Sequence, residues 1–328
     1  MPFPRRRPSQ ILLDPSMTAV LRVIEPGLLT TVQDLGRPNA ISSGVQAGGA
    51  MDRFAHRAAN LLVGNDPGEA TLECTLRGPQ LVAERSCLVA ITGADFDPRV
   101  SGAAVPAWST IRLGAGERLT FAGRRAGARV YIAVAGGVEG QRWLGSRSTN
   151  LMAGRGGHQG RALRPGDVLA TAGEPKTQNV DRQLAETLRP AYTDRTLYAI
   201  AGPHIKRLNA EGRGLLFEAV YTLSPNSDRM GYRLDGPQLV TAGDELLSFG
   251  LVAGAVQVPH GGQPILLMAD HQTAGGYPVV ATVVSASMPI AAQLLPGDEV
   301  RFAELTIERA LQMRTRQAQA LATLITPA

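Results

Sequence analysis

The sequence is poor in cysteine, histidine and lysine, and each shortage excludes a class of protein. Cys74 and Cys87 are the only cysteines and lack CxxC spacing, so a disulfide framework is excluded and reduced, partly buried thiols are expected. The five histidines show neither HExxH nor paired zinc-ligand spacing, so no metal is predicted. The only lysines, Lys176 and Lys206, follow no Walker A loop and occupy no carrier-type turn, which argues against a P-loop and against biotin attached to this chain.

Long apolar runs and familiar catalytic signatures are also missing. No stretch approaches the roughly 18 apolar residues that cross a bilayer, and the N-terminus lacks a signal peptide, so a cytoplasmic location without membrane contact is expected. The net charge of +5 is spread along the chain, with one dense run at Arg5–Arg7, so nucleic acid is not an expected partner. No GxSxG elbow occurs and no GxGxxG opens a helix after a strand, which excludes a Rossmann enzyme.

What the chain does contain is a series of short β-rich runs separated by glycine and proline. The 37 glycines and 22 prolines leave few positions for helices, and the fold class is predicted as mainly β. One helix is expected to begin after Asp52 as N-cap and to end at Gly64, and a long C-terminal helix is expected over 303–325. Strands are predicted at 20–24, 88–92, 130–134, 197–200, 265–268 and 279–284.

Three short motifs recur in the same order, which indicates two related β-rich units in tandem. Gly78–Val82 repeats as Gly236–Val240, and an Ala-Gly-Gly at 135–137 repeats at 274–276. A Pro-Gly-Asp turn ends both Leu163–Asp167 and Leu295–Asp298. With a polar junction between them, we predict a disordered extension over 1–16, a first domain over 17–180 and a second domain over 190–328. Met17 is an alternative start.

Two polar clusters are candidates for chemistry. The first, 30–37 with the glycine-rich 44–52, presents Gln33, Asp34 and Arg37, although a turn with a structural Asp–Arg pair would have the same composition. The second, 257–262 with 270–278, places a carboxylate, an imidazole, an amide and a phenol at the end of an apolar strand, and a hairpin loop is the competing interpretation.

The motifs in 23–37, 227–236 and 270–278 resemble those of the biotin-dependent carboxyltransferase family, also called allophanate hydrolase subunit 2, whose stand-alone bacterial members include the C subunit of 5-oxoprolinase. The resemblance runs from about Val20 to Phe302. It implies two tandem cyclophilin-like β-barrel domains, few short helices and a C-terminal helix. It also implies ATP-dependent opening of the 5-oxoproline lactam to glutamate by a complex.

The implied partners are an allophanate hydrolase subunit 1-like protein, which is the B subunit of 5-oxoprolinase, and a third chain, which is its A subunit, with ATP used by the complex. The implied alternatives are the carboxyltransferase half of a urea carboxylase system and a non-catalytic regulatory partner. We predict that Arg229 or Arg233 anchors a substrate carboxylate and that Asp34 or Asp270 handles protons. The implied catalytic residues are Asp34, Asp270 and His271. The implied substrate-binding residues are Gln33, Arg37, Arg229, Arg233, Gln257, Gln272 and Tyr277.

Overall fold

The computed structural model describes residues 19–176 and 181–325, and its strands fall into two groups along the chain. We call 19–170 the first unit and 196–304 the second unit. The predicted extension over 1–16 and part of the predicted junction lie outside the described residues. Within the described ranges, no helix is long and apolar enough to cross a membrane.

The first unit consists of two antiparallel sheets packed around one apolar core. One sheet has the order β11-β1-β4-β9-β6-β7, and the other has the order β2-β3-β10-β5-β8. Its strands are β1 (Ala19–Glu25), β2 (Leu29–Gln33), β3 (Thr71–Thr75), β4 (Gln80–Ala83), β5 (Cys87–Asp95), β6 (Pro98–Val100), β7 (Ala103–Ala104), β8 (Thr110–Leu113), β9 (Arg118–Phe121), β10 (Ala126–Val134) and β11 (Val168–Ala170).

The first helix, α1 (Arg53–Leu62), begins where the sequence predicts it. The Asp52 carboxylate accepts a hydrogen bond from the Ala55 amide at 2.9 Å, which caps the helix. Strand β5 is buried on both faces, because Val89 packs into the core between the sheets and Leu88 packs under α1. The helix therefore covers the outer face of the second sheet.

The second unit closes into a seven-stranded barrel in the order β12-β19-β16-β17-β14-β13-β20. Strands β14 and β20 alternate buried and exposed residues, as expected for a barrel wall with one face on the core. A separate two-stranded sheet pairs β15 with β18. The strands are β12 (Thr196–Ala201), β13 (Tyr221–Leu223), β14 (Gly231–Asp235), β15 (Phe249–Gly250), β16 (Ala255–Gln257), β17 (Ile265–Leu267), β18 (Ala274–Gly275), β19 (Val279–Val283) and β20 (Glu299–Glu304).

The remaining helices are short apart from the last one. These are α2 (Ala210–Glu218), α3 (Met288–Ala292), α4 (Ile307–Ala322) and 3₁₀ turns at Pro38–Ser43, Glu186–Leu188 and Ile205–Arg207. The C-terminal helix begins later than predicted, because 303–304 extend β20 and Thr306 provides the N-cap. Ala320 in its last turn and Leu324 just beyond its end pack against α1 of the first unit.

Each prediction of β structure from an apolar run is confirmed within a few residues, and the fold is mainly β as predicted. Both Pro-Gly-Asp turns lead into a strand, β11 and β20 respectively. The other two repeats diverge. Gly78–Val82 leads into β4 whereas Gly236–Val240 follows β14, and the Ala-Gly-Gly at 135–137 follows β10 whereas that at 274–276 includes β18. Cys74 and Cys87 are free thiols, and burial raises the pKa of the Cys74 thiol to about 12.

Candidate functional site

A cleft of about 350 Å³ lies between the two units. Its walls come from both, so neither unit alone encloses it. Two predicted site residues, Arg229 and Asp270, lie on the second unit's side of this cleft. The lining residues are Leu29, Gln46, Thr75, Arg129, Asn150, Leu151 and Met152 of the first unit and Ser227, Asp228, Arg229, Met230 and Asp270 of the second.

Arg229, in the loop between β13 and β14, joins the two units by hydrogen bonds. Its Nε donates to Asp270 Oδ2 at 2.7 Å and its Nη2 donates to the Gly49 carbonyl at 2.7 Å. Its Nη1 donates to Glu73 Oε1 on β3. Burial acts to lower the pKa of Arg229, but the carboxylates of Glu73 and Asp270 outweigh burial and raise it. Arg229 is therefore a fixed cation with most of its donors engaged.

Asp270 follows β17 and meets the glycine-rich loop of the first unit. Gln46 Nε2 donates to the Asp270 carbonyl at 2.5 Å, and the Gly48 amide donates to the Ala269 carbonyl at 3.1 Å. The structure thus brings together segments of the two polar clusters that the sequence presents separately. The glycine-rich loop provides the contact because a Cβ on Gly48 would lie 2.9 Å from Arg37 Nη1 and 3.4 Å from Asp270 Oδ1.

Sequence reasoning missed two buried charged residues of the first unit, Arg129, which lines the cleft, and Glu73, which lies behind it. Glu73 Oε2 accepts hydrogen bonds from Tyr131 Oη at 2.7 Å and from the Met51 amide at 2.8 Å. Arg129 Nη1 donates to Tyr232 Oη of the second unit at 2.8 Å. The available signal was a charged residue within an otherwise buried strand, as in Thr71–Thr75, since such a charge needs a partner.

Asp34 lies in the first polar cluster and is held by four hydrogen-bond donors. Its carboxylate accepts from the hydroxyls of Ser146 and Ser148, each at 2.6 Å, and from the backbone amides of Gly36 and Arg147 at 2.7 and 2.6 Å. These bonds attach the 34–37 turn to the 146–148 segment. The predicted catalytic role of Asp34 stays a prediction, and the observed contacts are those of a loop anchor.

Gln33 and Arg37 are buried beside this turn. Arg37 lies over the Trp143 ring at 4.9 Å and donates to the Ser148 carbonyl, while its Nη1 has no hydrogen-bond partner within the described ranges. Gln33 Nε2 donates to Thr31 Oγ1 at 3.1 Å. Both residues lie outside the cleft lining, and their predicted binding roles stay predictions.

The other predicted residues occupy different environments within the second unit. His271 is buried, and its Nδ1 lies 2.6 Å from the Gln272 carbonyl. Gln272 Nε2 donates to Gln257 Oε1 at 3.1 Å, so these two amides form a pair inside the second unit. Tyr277 is 42% exposed and has edge contact with a histidine ring. Arg233 points outward from β14.

A second polar contact between the units lies behind the cleft, at Asp52 and Gln293. The Asp52 Oδ2 atom accepts hydrogen bonds from Tyr192 Oη at 2.6 Å and from Gln293 Nε2 at 3.0 Å. Complete burial raises the pKa of Asp52 from 3.8 to about 6, although these hydrogen bonds act to lower it. The fold therefore favours the protonated form of this carboxyl group.

Replacing Asp52 by asparagine should change the dependence of stability on pH. Since folding raises the pKa of Asp52 to about 6, its favourable contribution is complete below about pH 4 and is lost as the pH rises through 6. We expect the free energy of unfolding of the wild type to fall relative to that of Asp52→Asn across this window. Urea unfolding at a series of pH values measures this difference, with Asp235→Asn, a substitution at an exposed position, as the control. If the free energy of unfolding depended on pH in the same way in all three proteins, the prediction would be wrong.

The chain has relatives of known family among characterised proteins. The family model described as carboxyltransferase domain, subdomain A and B, matches residues 43–304. The chain belongs to this family. It is 40% identical over 299 residues to the 5-oxoprolinase C subunit of Escherichia coli, covering 91% of this chain and 95% of that protein. It is 34% identical over 287 residues to the 5-oxoprolinase C subunit of Haemophilus influenzae, covering 87% and 91%.

Among solved structures, the Kluyveromyces lactis urea amidolyase superposes with a TM-score of 0.87 at 28% identity. The match covers 94% of this carboxyltransferase-domain chain and 20% of the urea amidolyase, so the chain spans about a fifth of that enzyme. The resemblance that the motifs indicate is confirmed, and so is the fold class that it implies.

Proposed function

We propose that this chain is one component of an ATP-dependent 5-oxoprolinase complex that opens the 5-oxoproline lactam to glutamate. The observation that carries the proposal is the 40% identity to the E. coli 5-oxoprolinase C subunit over nearly the whole of both chains. Because that relative is itself one component of a larger enzyme by name, partner chains are expected. We propose that they are an allophanate hydrolase subunit 1-like protein and a third chain. The cytoplasmic location stays a prediction.

The cleft favours one member of each predicted pair of candidates. Arg229 lines the cleft whereas Arg233 points away from the barrel, so Arg229 is the better anchor for a substrate carboxylate. Asp270 also lines the cleft, while Asp34 has four donors on its carboxylate, so Asp270 is the better proton acceptor. The side-chain amides of Gln46 and Asn150 also line the cleft, where Asn150 Nδ2 donates to Gln46 Oε1 at 3.2 Å.

We assign the use of ATP to a partner chain. A lactam is a poor electrophile, and ATP supplies its activation by phosphorylation. A triphosphate needs several unengaged cations or a glycine-rich loop opening a helix. Within the described residues, the hydrogen bonds of Arg229 to Glu73, Gly49 and Asp270 leave one N–H group on Nη1, enough for a single carboxylate, and Arg129 donates to Tyr232. The cleft of this chain therefore fits a small carboxylate-bearing amide better than it fits a nucleotide.

A second candidate is the carboxyltransferase half of a urea carboxylase system. The TM-score of 0.87 with the urea amidolyase favours it, because the two share the same fold over 94% of this chain. A non-catalytic partner that regulates another protein is the remaining alternative. The two enzyme candidates differ in substrate, and the regulatory candidate differs from both in tolerating loss of the cleft residues.

Co-expression with the proteins encoded beside it tests the function. We expect ATP-dependent glutamate release from 5-oxoproline by the purified assembly and none by this chain alone. We also expect Asp270→Asn to lower kcat about 100-fold in an assembly of unchanged composition, since a positioned proton acceptor contributes about that factor or more. An assembly that consumes ATP only with urea would support the second candidate. An inactive assembly, or full activity in Asp270→Asn, would contradict the proposed role.

A further inference from the structure

Glu73 is a buried carboxylate at the centre of the contact between the units. It is 2% exposed and is not among the residues that line the cleft. Its Oε2 atom is occupied within the first unit by the Tyr131 hydroxyl and the Met51 amide. Its Oε1 atom receives Arg229 from the second unit, a residue 156 positions away in sequence. Glu73 is thus fixed from one side, and of the cleft residues it hydrogen-bonds to Arg229, while Arg129 Nε lies 4.0 Å from its Oε1.

Arg229 transmits this contact to Asp270. The Arg229 Nε and Nη2 atoms lie 2.7 and 3.2 Å from the two oxygens of Asp270, and the Asp270 amide donates to the Arg229 carbonyl at 2.8 Å. Apart from Glu73, the first unit offers Arg229 only the Gly49 carbonyl, at 2.7 Å, within the part of the chain that the structure describes. A buried guanidinium between two carboxylates has a single low-energy orientation, because turning it would leave one carboxylate uncompensated.

We propose that Glu73 is the positioning residue of this site: it orients Arg229, and through Arg229 it places Asp270 in the cleft. The inference rests on the proposed function for its catalytic consequence. It means that a strand of the first unit sets the geometry of two cleft residues of the second unit. The site is then complete only when the units are docked.

A double-mutant cycle in the assembled complex tests whether Glu73 acts through Arg229. Glu73→Gln keeps the shape of the side chain and removes its charge, and we expect kcat/KM for 5-oxoproline to fall about tenfold. In an Arg229→Lys background the same change should have almost no further effect, because the oriented guanidinium is already gone. Glu139→Gln is the matched control. Glu139 accepts a hydrogen bond from Arg147 at 3.2 Å and does not line the cleft, so this substitution should leave kcat/KM unchanged. Independent, multiplicative losses from Glu73→Gln and Arg229→Lys would overturn the proposal.

Hydrogen exchange of the full chain, measured without substrate, separates this inference from the proposed function. We expect Glu73→Gln to speed amide exchange in 229–231 and 268–271 of the second unit, and we expect the same from Arg229→Lys. In the double variant, exchange should be no faster than in Arg229→Lys alone. Faster exchange confined to the first unit would show that Glu73 only stabilises its own strand, and would overturn the proposal. If the wild-type assembly has no 5-oxoprolinase activity, the proposed function fails while the exchange result still decides the role of Glu73.

Discussion

Replacing Arg229 by methionine should destabilise the chain by about 3–5 kcal/mol. The arginine side chain is 12% exposed and lies between the carboxylates of Glu73 and Asp270, which are 2% and 16% exposed. Methionine fills a similar volume but removes the ion-pair partner of Asp270 and leaves Glu73 with Arg129 alone, whose Nε is 4.0 Å away. The cost is the desolvation of those charges, which exceeds what the added apolar surface returns.

Urea unfolding of wild type, Arg229→Met and Arg233→Met measures this effect. Arg233 lies four residues further on, in β14, and its side chain is exposed. The same substitution there should change the free energy of unfolding by about 0.5 kcal/mol or less. Equal midpoints for Arg229→Met and Arg233→Met would mean that the ion pairs between the units contribute no net stability.

Replacing Gln293 by leucine should destabilise the chain by about 4 kcal/mol, because several buried polar groups lose a hydrogen-bond partner at once. Gln293 is fully buried at the end of α3. Its Oε1 accepts from the amides of Ala128 and Arg129 at 3.0 and 2.8 Å, and its Nε2 donates to the Arg129 carbonyl and to Asp52, each at 3.0 Å. The side-chain amide of Gln293 thus hydrogen-bonds to the backbone of β10 at the point where the pairing between β10 and β5 shifts register.

Gln263→Leu is a matched control for this prediction. Gln263 also accepts from and donates to backbone, through the Gly236 amide and carbonyl at 3.1 and 3.0 Å, but these bonds lie at the surface. Water can replace the hydrogen bonds of Gln263, so we expect Gln263→Leu to lower the free energy of unfolding by about 1 kcal/mol. Thermal and urea unfolding of both variants give the comparison, and a loss for Gln293→Leu no greater than that for Gln263→Leu would contradict the prediction.

The local pattern of the sequence predicts much of the fold. The alternation of apolar residues places the strands, and the Asp52 cap places the start of α1, because both depend on neighbours in sequence. The tandem repeat predicts two β-rich units, yet their closure differs. The second unit is a closed barrel and the first consists of two sheets, because closure depends on strand pairing between distant segments.

Local motifs were enough to identify the family, the mainly β fold and two residues of the cleft, Arg229 and Asp270. Which of the candidate residues lie close together depends on the pairing of distant segments in the folded chain. The tertiary structure separates Arg233 from Arg229, and it surrounds Asp34 with donors from 146–148. It also introduces Glu73, which no motif marks. The reason is that a buried charge is stabilised by whichever opposite charge the fold brings to it, and here that partner is 156 residues away.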